Sequence, residues 1–260
     1  MTVAALPETC AAARLWVWPG HGVYLGESLG LQPHTTSVPC IVIGVDEEFT
    51  LAVGDERVRT RSALIVPRVE HQIVAAPPSR MLFCYVDAGR AELADWASRA
   101  TVGPGGCSVR LPTESVLAGM CRDSDPDPMK IVATATGRRS RTLDPRITSV
   151  VGLLLDDPTA APDAKGLAAR AGWSTSHFLR RFSRETGTSL RRYRLWARML
   201  RAAGTVADGG DLTTAAADAG FSSPSHFSDT FLRMFGLTAS DLIGSGAELI
   251  VVDERQAATA

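Results

Sequence analysis

Lysine is nearly missing from this chain: Lys130 and Lys165 stand against 25 arginines, so almost every cation is a planar bidentate donor rather than a point charge. Cysteine is sparse as well. Cys10, Cys40, Cys84, Cys107 and Cys121 are odd in number, widely spread and never in a CxxC pair, which argues against a disulfide framework and a structural zinc site. His21, His34 and His71 are solitary, with no HxH or HxxxE spacing. Metal sites need three or four ligands with support behind them, so neither a metal nor a cofactor is expected. Long apolar runs are lacking too: the longest, such as residues 147–155, fall far short of the roughly 20 residues that span a bilayer. The N-terminal segment has no basic flank before its weak apolar run. The expectation is a cytoplasmic protein without a membrane partner.

What is present suits a globular protein. The 260 residues are 45% apolar and 21% charged, enough to bury a core and about right for two domains. Charge is unevenly spread: residues 1–136 hold 11 basic and 15 acidic side chains, and residues 137–260 hold 16 and 13. Between residues 165 and 201, ten basic side chains meet Glu185 alone, an excess that points to a polyanionic partner.

Short apolar runs at 14–18, 38–45, 49–53, 63–66, 72–76 and 81–86, spaced by Gly, Pro and acidic turns, predict a small antiparallel β-barrel or sandwich. Apolar spacing of three and four predicts two short helices at 90–99 and 113–122. The DSDPDP run from residue 123 reads as a helix breaker, and residues 134–142 as an exposed linker. From Asp144 the pattern is helical, with Asp144 as N-cap and Pro145 at the first helical position. The predicted class is α+β: a barrel domain at 1–125, a linker at 126–143, an all-α domain at 144–244 and a tail at 245–260 to which no role is assigned.

The strongest signal is an internal repeat. His177, Phe178, Phe182, Arg184 and Gly187 recur 49 residues later as His226, Phe227, Phe231, Arg233 and Gly236, and Ala171-Gly172-Trp173-Ser174 returns as Ala219-Gly220-Phe221-Ser222. Each copy reads as a short helix, a glycine turn and a second helix opening on cap residues (Ser174, Thr175; Ser222, Ser223), with Pro224 suited to a first turn. Residues four apart share a helical face. Phe178 and Phe182, and then Phe227, Phe231 and Phe235, therefore form inward stripes, opposite Ser176, Arg180 and Arg184 in the first copy and Ser225, Asp229 and Arg233 in the second. This is the layout of a helix-turn-helix reader of the DNA major groove. Arginine supplies the bidentate fit to guanine, and the surrounding cations suit phosphates.

Over residues 144–243 the sequence resembles the AraC/XylS family of bacterial transcription regulators. The family signature GF-S-x-x-x-x-F-x-x-x-F-x-x-x-F-G is matched from Gly220 to Gly236, and residues 190–203 look like the long helix that joins the two units in the family. The resemblance implies two readers in successive major grooves. By position, the base-facing residues would be Ser176, Leu179 and Arg180 in the first unit and Pro224, Ser225, Ser228 and Asp229 in the second. Two departures stand out. Asp229 replaces the usual Arg, which implies that the first unit supplies most of the discrimination and the second reads less, or reads cytosine. Ala239 replaces the usual Pro, which implies a less rigid start to the last helix.

The N-terminal half resembles more loosely the cupin-like sensing domain of such regulators, residues 61–71 standing for its P-G-D-x-x-x-x-P-x-x-x-x-H stretch with the Pro-Gly-Asp turn lost. On that resemblance the domain binds an unidentified small-molecule effector, with His71 as a weak candidate contact, and dimerises. The expected partners are double-stranded DNA, a second copy of the chain, the effector and RNA polymerase, and the protein is not expected to be an enzyme. Cys40 and Cys84 lie in apolar runs and read as inert. Cys107, following a glycine-rich loop, is the candidate if any thiol is reactive. Two alternatives remain: a metal-dependent cupin enzyme with an accessory helical domain, and a helical protein-interaction module.

Overall fold

The computed structural model describes residues 13–87, 99–137 and 143–253. Its strands are β1 (Arg14–Trp18), β2 (His21–Glu27), β3 (His34–Thr35), β4 (Cys40–Gly44), β5 (Phe49–Val53), β6 (Glu56–Thr60), β7 (Ser62–Ile65), β8 (Glu70–Val74), β9 (Arg80–Tyr85), β10 (Thr101–Val102), β11 (Ser108–Val109) and β12 (Glu248–Val251). One sheet runs in the order β10-β11-β7-β4-β9-β2-β1-β12 and the other β3-β8-β5-β6. Among the described residues neither order closes on itself, so the expected sheet domain is an open pair of layers rather than a closed barrel. Its core lies between them, where Val42, Ala63 and Phe83 of the larger sheet meet Phe49, Leu51 and Ile73 of the smaller.

The central strand β4 (CIVIG) is buried on both faces, and reads as a continuous apolar run for that reason. Its Cys40 and Val42 face the inter-sheet core, and Ile41 and Ile43 face a second core. That second core is roofed by two helices, α1 (Glu114–Met120) and α2 (Pro128–Thr136). Here the structure departs from the expected linker at 126–143. Asp127 is an N-cap whose carboxylate accepts from the Met129 and Lys130 amides, Pro128 takes the first helical position, and Ile131, Val132 and Ala135 are buried. Asp-Pro, read as a breaker, is here a helix start. Residues 138–142 of that stretch, and nearly all of the helix expected at 90–99, lie outside the described residues.

Six strands escaped the sequence pattern: β3, β10 and β11, each only two residues long, β12, and the longer β2 and β6. β2 is interrupted by glycines: a Cβ on Gly26 would clash at 2.5 Å with the Ala13 Cβ, and one on Gly22 would make a tight 3.3 Å contact with the Trp196 ring. β6 (ERVRT) is an exposed edge strand, charged as edges commonly are.

The helical region comprises α3 (Pro145–Asp156), α4 (Ala164–Arg170), α5 (Thr175–Thr186), α6 (Leu190–Ala207), α7 (Leu212–Asp218), α8 (Pro224–Phe235) and α9 (Ala239–Gly244). It divides between two cores. Helices α3, α4 and α5 close with the start of α6 on a core of their own, from Leu143 to Tyr193. Helices α7, α8 and α9, with the rest of α6, share the inter-sheet core of the N-terminal half. The α9 start is firm without proline, because Thr238 and Asp241 form a reciprocal capping box.

The segment expected to be a tail contains β12, which lies parallel to β1 with Leu15 opposite Leu249 and Val17 opposite Val251. The Glu248 amide donates to Ala13 O at 2.7 Å and the Val252 amide to Val17 O at 2.9 Å. The chain after the helices thus returns to the sheet it started from.

Candidate nucleic-acid interface

The second helices of the two repeats are built alike. In α5 the Ser174 hydroxyl accepts from the His177 amide, and in α8 the Ser223 hydroxyl accepts from the His226 amide at 3.1 Å. Both end on a glycine in the left-handed region, Gly187 at φ 70° and Gly236 at φ 78°, where a side chain would be strained. Their apolar stripes differ in what they meet. Phe178 and Phe182 are fully buried within the first unit, ring centroids 5.8 Å apart, with Tyr193 edge-on to Phe182 at 5.5 Å. Phe231 and Phe235 are half-buried and pack across to the sheet, where Tyr85 is T-shaped on Phe235 at 5.4 Å.

Helix α5 is also held by charge. The Glu185 carboxylate, buried at 5% exposure, accepts from the Asp144 amide at 2.9 Å and pairs with Arg181 at 2.5 Å. Asp144 itself, capping α3, is held down to about 2 by its hydrogen bonds from the Arg146 side chain and amide.

With the stripes turned inward, the opposite faces are open. Ser176, Leu179, Arg180 and Arg184 on α5 and Pro224, Ser225, Asp229 and Arg233 on α8 are all exposed, and Ser228 is half-buried. Of these, the structure brings Leu179, Arg180 and Arg233 together around one cleft of about 1550 Å³. The others stand outside its lining. α6, 18 residues long and so about 27 Å, forms the cleft's floor through Arg191, Arg192, Arg194 and Arg198. Arg194 donates to the carbonyls of Ala161 and Pro162, fixing the loop ahead of α4. Asp163 is the only acid among the described lining residues. A wall of the cleft comes from the sheet half, through Thr35, Ser37 and Arg68, a contribution that sequence spacing does not signal.

The two halves meet along an apolar seam. Trp196 donates from its indole to Gly20 O at 3.3 Å, Tyr193 donates to the buried Asp87 carboxylate at 2.6 Å, and the Gln32 amide donates to Gly236 O at 2.7 Å. Between them lies a narrow void of about 90 Å³ lined by Tyr24, Phe83, Tyr85, Trp196, Phe231 and Phe235 among others, with no charged side chain in its lining.

His71 does not line that void. It is buried beside His34, ring centroids 4.3 Å apart, and its Nδ1 bonds Val69 O. Among the described residues no three His, Cys, Asp or Glu side chains converge as a metal site, and no helix is long and apolar enough to cross a membrane. Cys107, the candidate reactive thiol, is fully buried, and burial pushes its thiol up, as it does those of Cys40, Cys84 and Cys121. Thiols so placed are poor nucleophiles.

Residues 167–244 match the model of a helix-turn-helix domain. Over nearly the whole chain the fold is similar to that of ToxT from Vibrio cholerae: an apo variant is 11% identical, with 88% of this chain and 98% of that one covered at a TM-score of 0.58. ToxT bound to an unsaturated fatty acid is 12% identical, with 90% and 97% covered at a TM-score of 0.52. An AraC-type DNA-binding domain-containing regulator from Chromobacterium violaceum is 25% identical over 39% of this chain and 92% of that one, at a TM-score of 0.36. No curated protein sequence matches.

Proposed function

We propose, from the premise that the chain is a DNA-binding transcription regulator with a C-terminal domain of the AraC type, that α5 and α8 enter successive major grooves on one face of a duplex. The observation that carries this reading is the duplicated capped helix whose aromatic stripe is anchored and whose Ser and Arg face stands open beside an arginine-lined cleft. Arg180 reads a base edge in the first groove. Asp229, a carboxylate facing a polyanion, gains only where it accepts from a cytosine amino group, so the first unit supplies most of the discrimination. The cleft arginines neutralise phosphates and make binding fall steeply with salt.

The signal enters at the seam. A ligand that occupies it and binds the docked and undocked arrangements unequally shifts their balance. ToxT has been captured with an unsaturated fatty acid. The seam here is lined mainly by apolar and aromatic side chains without a cation, so a neutral apolar molecule matches it better than a carboxylate. The protein acts in the cytoplasm.

Selection of bound duplexes from a random pool, followed by groove protection, tests the reading. Protected grooves should lie one helical turn, about 34 Å, apart. Arg180→Ala should lose about 1–3 kcal/mol of discrimination at one position, and Asp229→Ala less. Equal loss from both would overturn the ranking.

A further inference from the structure

One wall of the arginine-lined cleft belongs to the sheet half, and its composition does not follow from sheet stability. Ser37 lines the cleft at 1% exposure, yet its hydroxyl has no hydrogen-bond partner among the described residues. Buried hydroxyls are normally paired, and an unpaired one calls for a reason. Next to it the Thr36 carbonyl accepts twice, from the Arg68 amide at 3.2 Å and from the Arg192 guanidinium at 3.3 Å. One carbonyl therefore ties the backbone at Arg68 to the guanidinium of Arg192 on α6, and both arginines line the same cleft. Arg68 holds this position with φ at 74°, a left-handed backbone that a long non-glycine side chain adopts only when its surroundings hold it there. No acid is paired with Arg68, Arg191 or Arg192 among the described residues. Burial first, and then the neighbouring Arg68 and Arg191, lower the Arg192 pKa, as expected of crowded cations without a counter-ion.

We infer that Ser37, Arg68 and Arg192 form a phosphate-binding subsite, in which the hydroxyl and two guanidiniums donate to the oxygens of one phosphate group. Guanidinium forks fit phosphate bidentately, and the subsite shares its cleft with Arg180 and Arg233 of the reading helices. Resting on the DNA-binding reading, this makes the sheet half part of the DNA interface: its phosphate is one of the duplex backbone, held while α5 and α8 read the bases.

The test uses the full chain with Arg68→Gly and Ser37→Ala. Glycine relieves the left-handed backbone, so Arg68→Gly should fold at least as well as the parent while lacking the guanidinium. Duplex affinity measured across a salt series should give a log–log slope shallower by about 0.9 for Arg68→Gly, the loss of one phosphate contact, with the preference among duplexes unchanged. In a second arm, inorganic phosphate should raise the melting temperature of the parent and not that of either variant. A phosphate-dependent shift confined to the parent, with the slope unchanged, would keep the subsite and assign it to a free phosphate group rather than DNA. An unchanged slope together with equal phosphate response in all three proteins would overturn the inference. If the parent binds no duplex at all, the DNA reading fails, and the phosphate arm still decides the subsite.

Discussion

The buried His34–His71 pair shows how two unremarkable side chains acquire a property together. They are register partners on β3 and β8, and each Nδ1 bonds a backbone carbonyl, Gln32 O at 2.8 Å and Val69 O at 3.0 Å. Burial, and then the neighbouring His71, lower His34 to about 4, and burial lowers His71. Folding therefore keeps the pair neutral, whereas the unfolded chain takes up protons near 6.5. The stability this gives is full above pH 6.5 and declines as the pH falls towards 4, by roughly 3 kcal/mol for His34. Urea unfolding of the parent at pH 7 and pH 5 should show the decline, and His34→Asn should flatten it; an equally steep decline in that variant would remove the assignment. Nothing local marks this pair. The two histidines are far apart in sequence, and only strand register joins them, which is why each reads as solitary in the sequence.

At the level of elements, local chemistry was legible and partners were not. The caps Ser174 and Ser223, the phase of the phenylalanines and the terminal glycines are set by neighbours within a few residues, so α5 and α8 could be placed from spacing alone, exposed face included. What Phe231 and Phe235 pack against depends on a sheet more than a hundred residues upstream, and nothing near them specifies it. β12 was equally hidden, because an apolar run as short as ELIV becomes a strand only when an edge such as β1 is waiting. Removal of residues 247–260 should expose that edge, with a melting temperature lower by roughly 4–8 °C, the shift that about 2 kcal/mol gives for a chain of this size. It should also bring concentration-dependent association, visible by light scattering. A truncated chain that melts like the parent and stays dispersed would show the strand to be dispensable.

Over the whole molecule, the boundary between sheet and helices is not where the cores divide. The first repeat unit keeps its own core, while the second shares one with the two sheets. Cooperative units follow shared cores, so amides of α3 to α5 should exchange at a lower free energy than those of α7 and α8. Phe235→Ala, which empties the contact with Tyr85 and Trp196, should cost about 3 kcal/mol and bring α8 exchange down towards the level of α5; α8 amides protected as before would refute the shared core.

The pairing of β12 with β1 has a mechanical consequence. The helical region leaves the sheet half after α2 and rejoins it at β12, so it is held at two points rather than one. While β12 stays paired, a rearrangement that frees Phe235 from the sheet leaves α9 leashed to β1 by the few residues between Gly244 and Glu248. The second unit, which precedes that leash directly, is thereby kept close to the sheet even when its apolar contacts open.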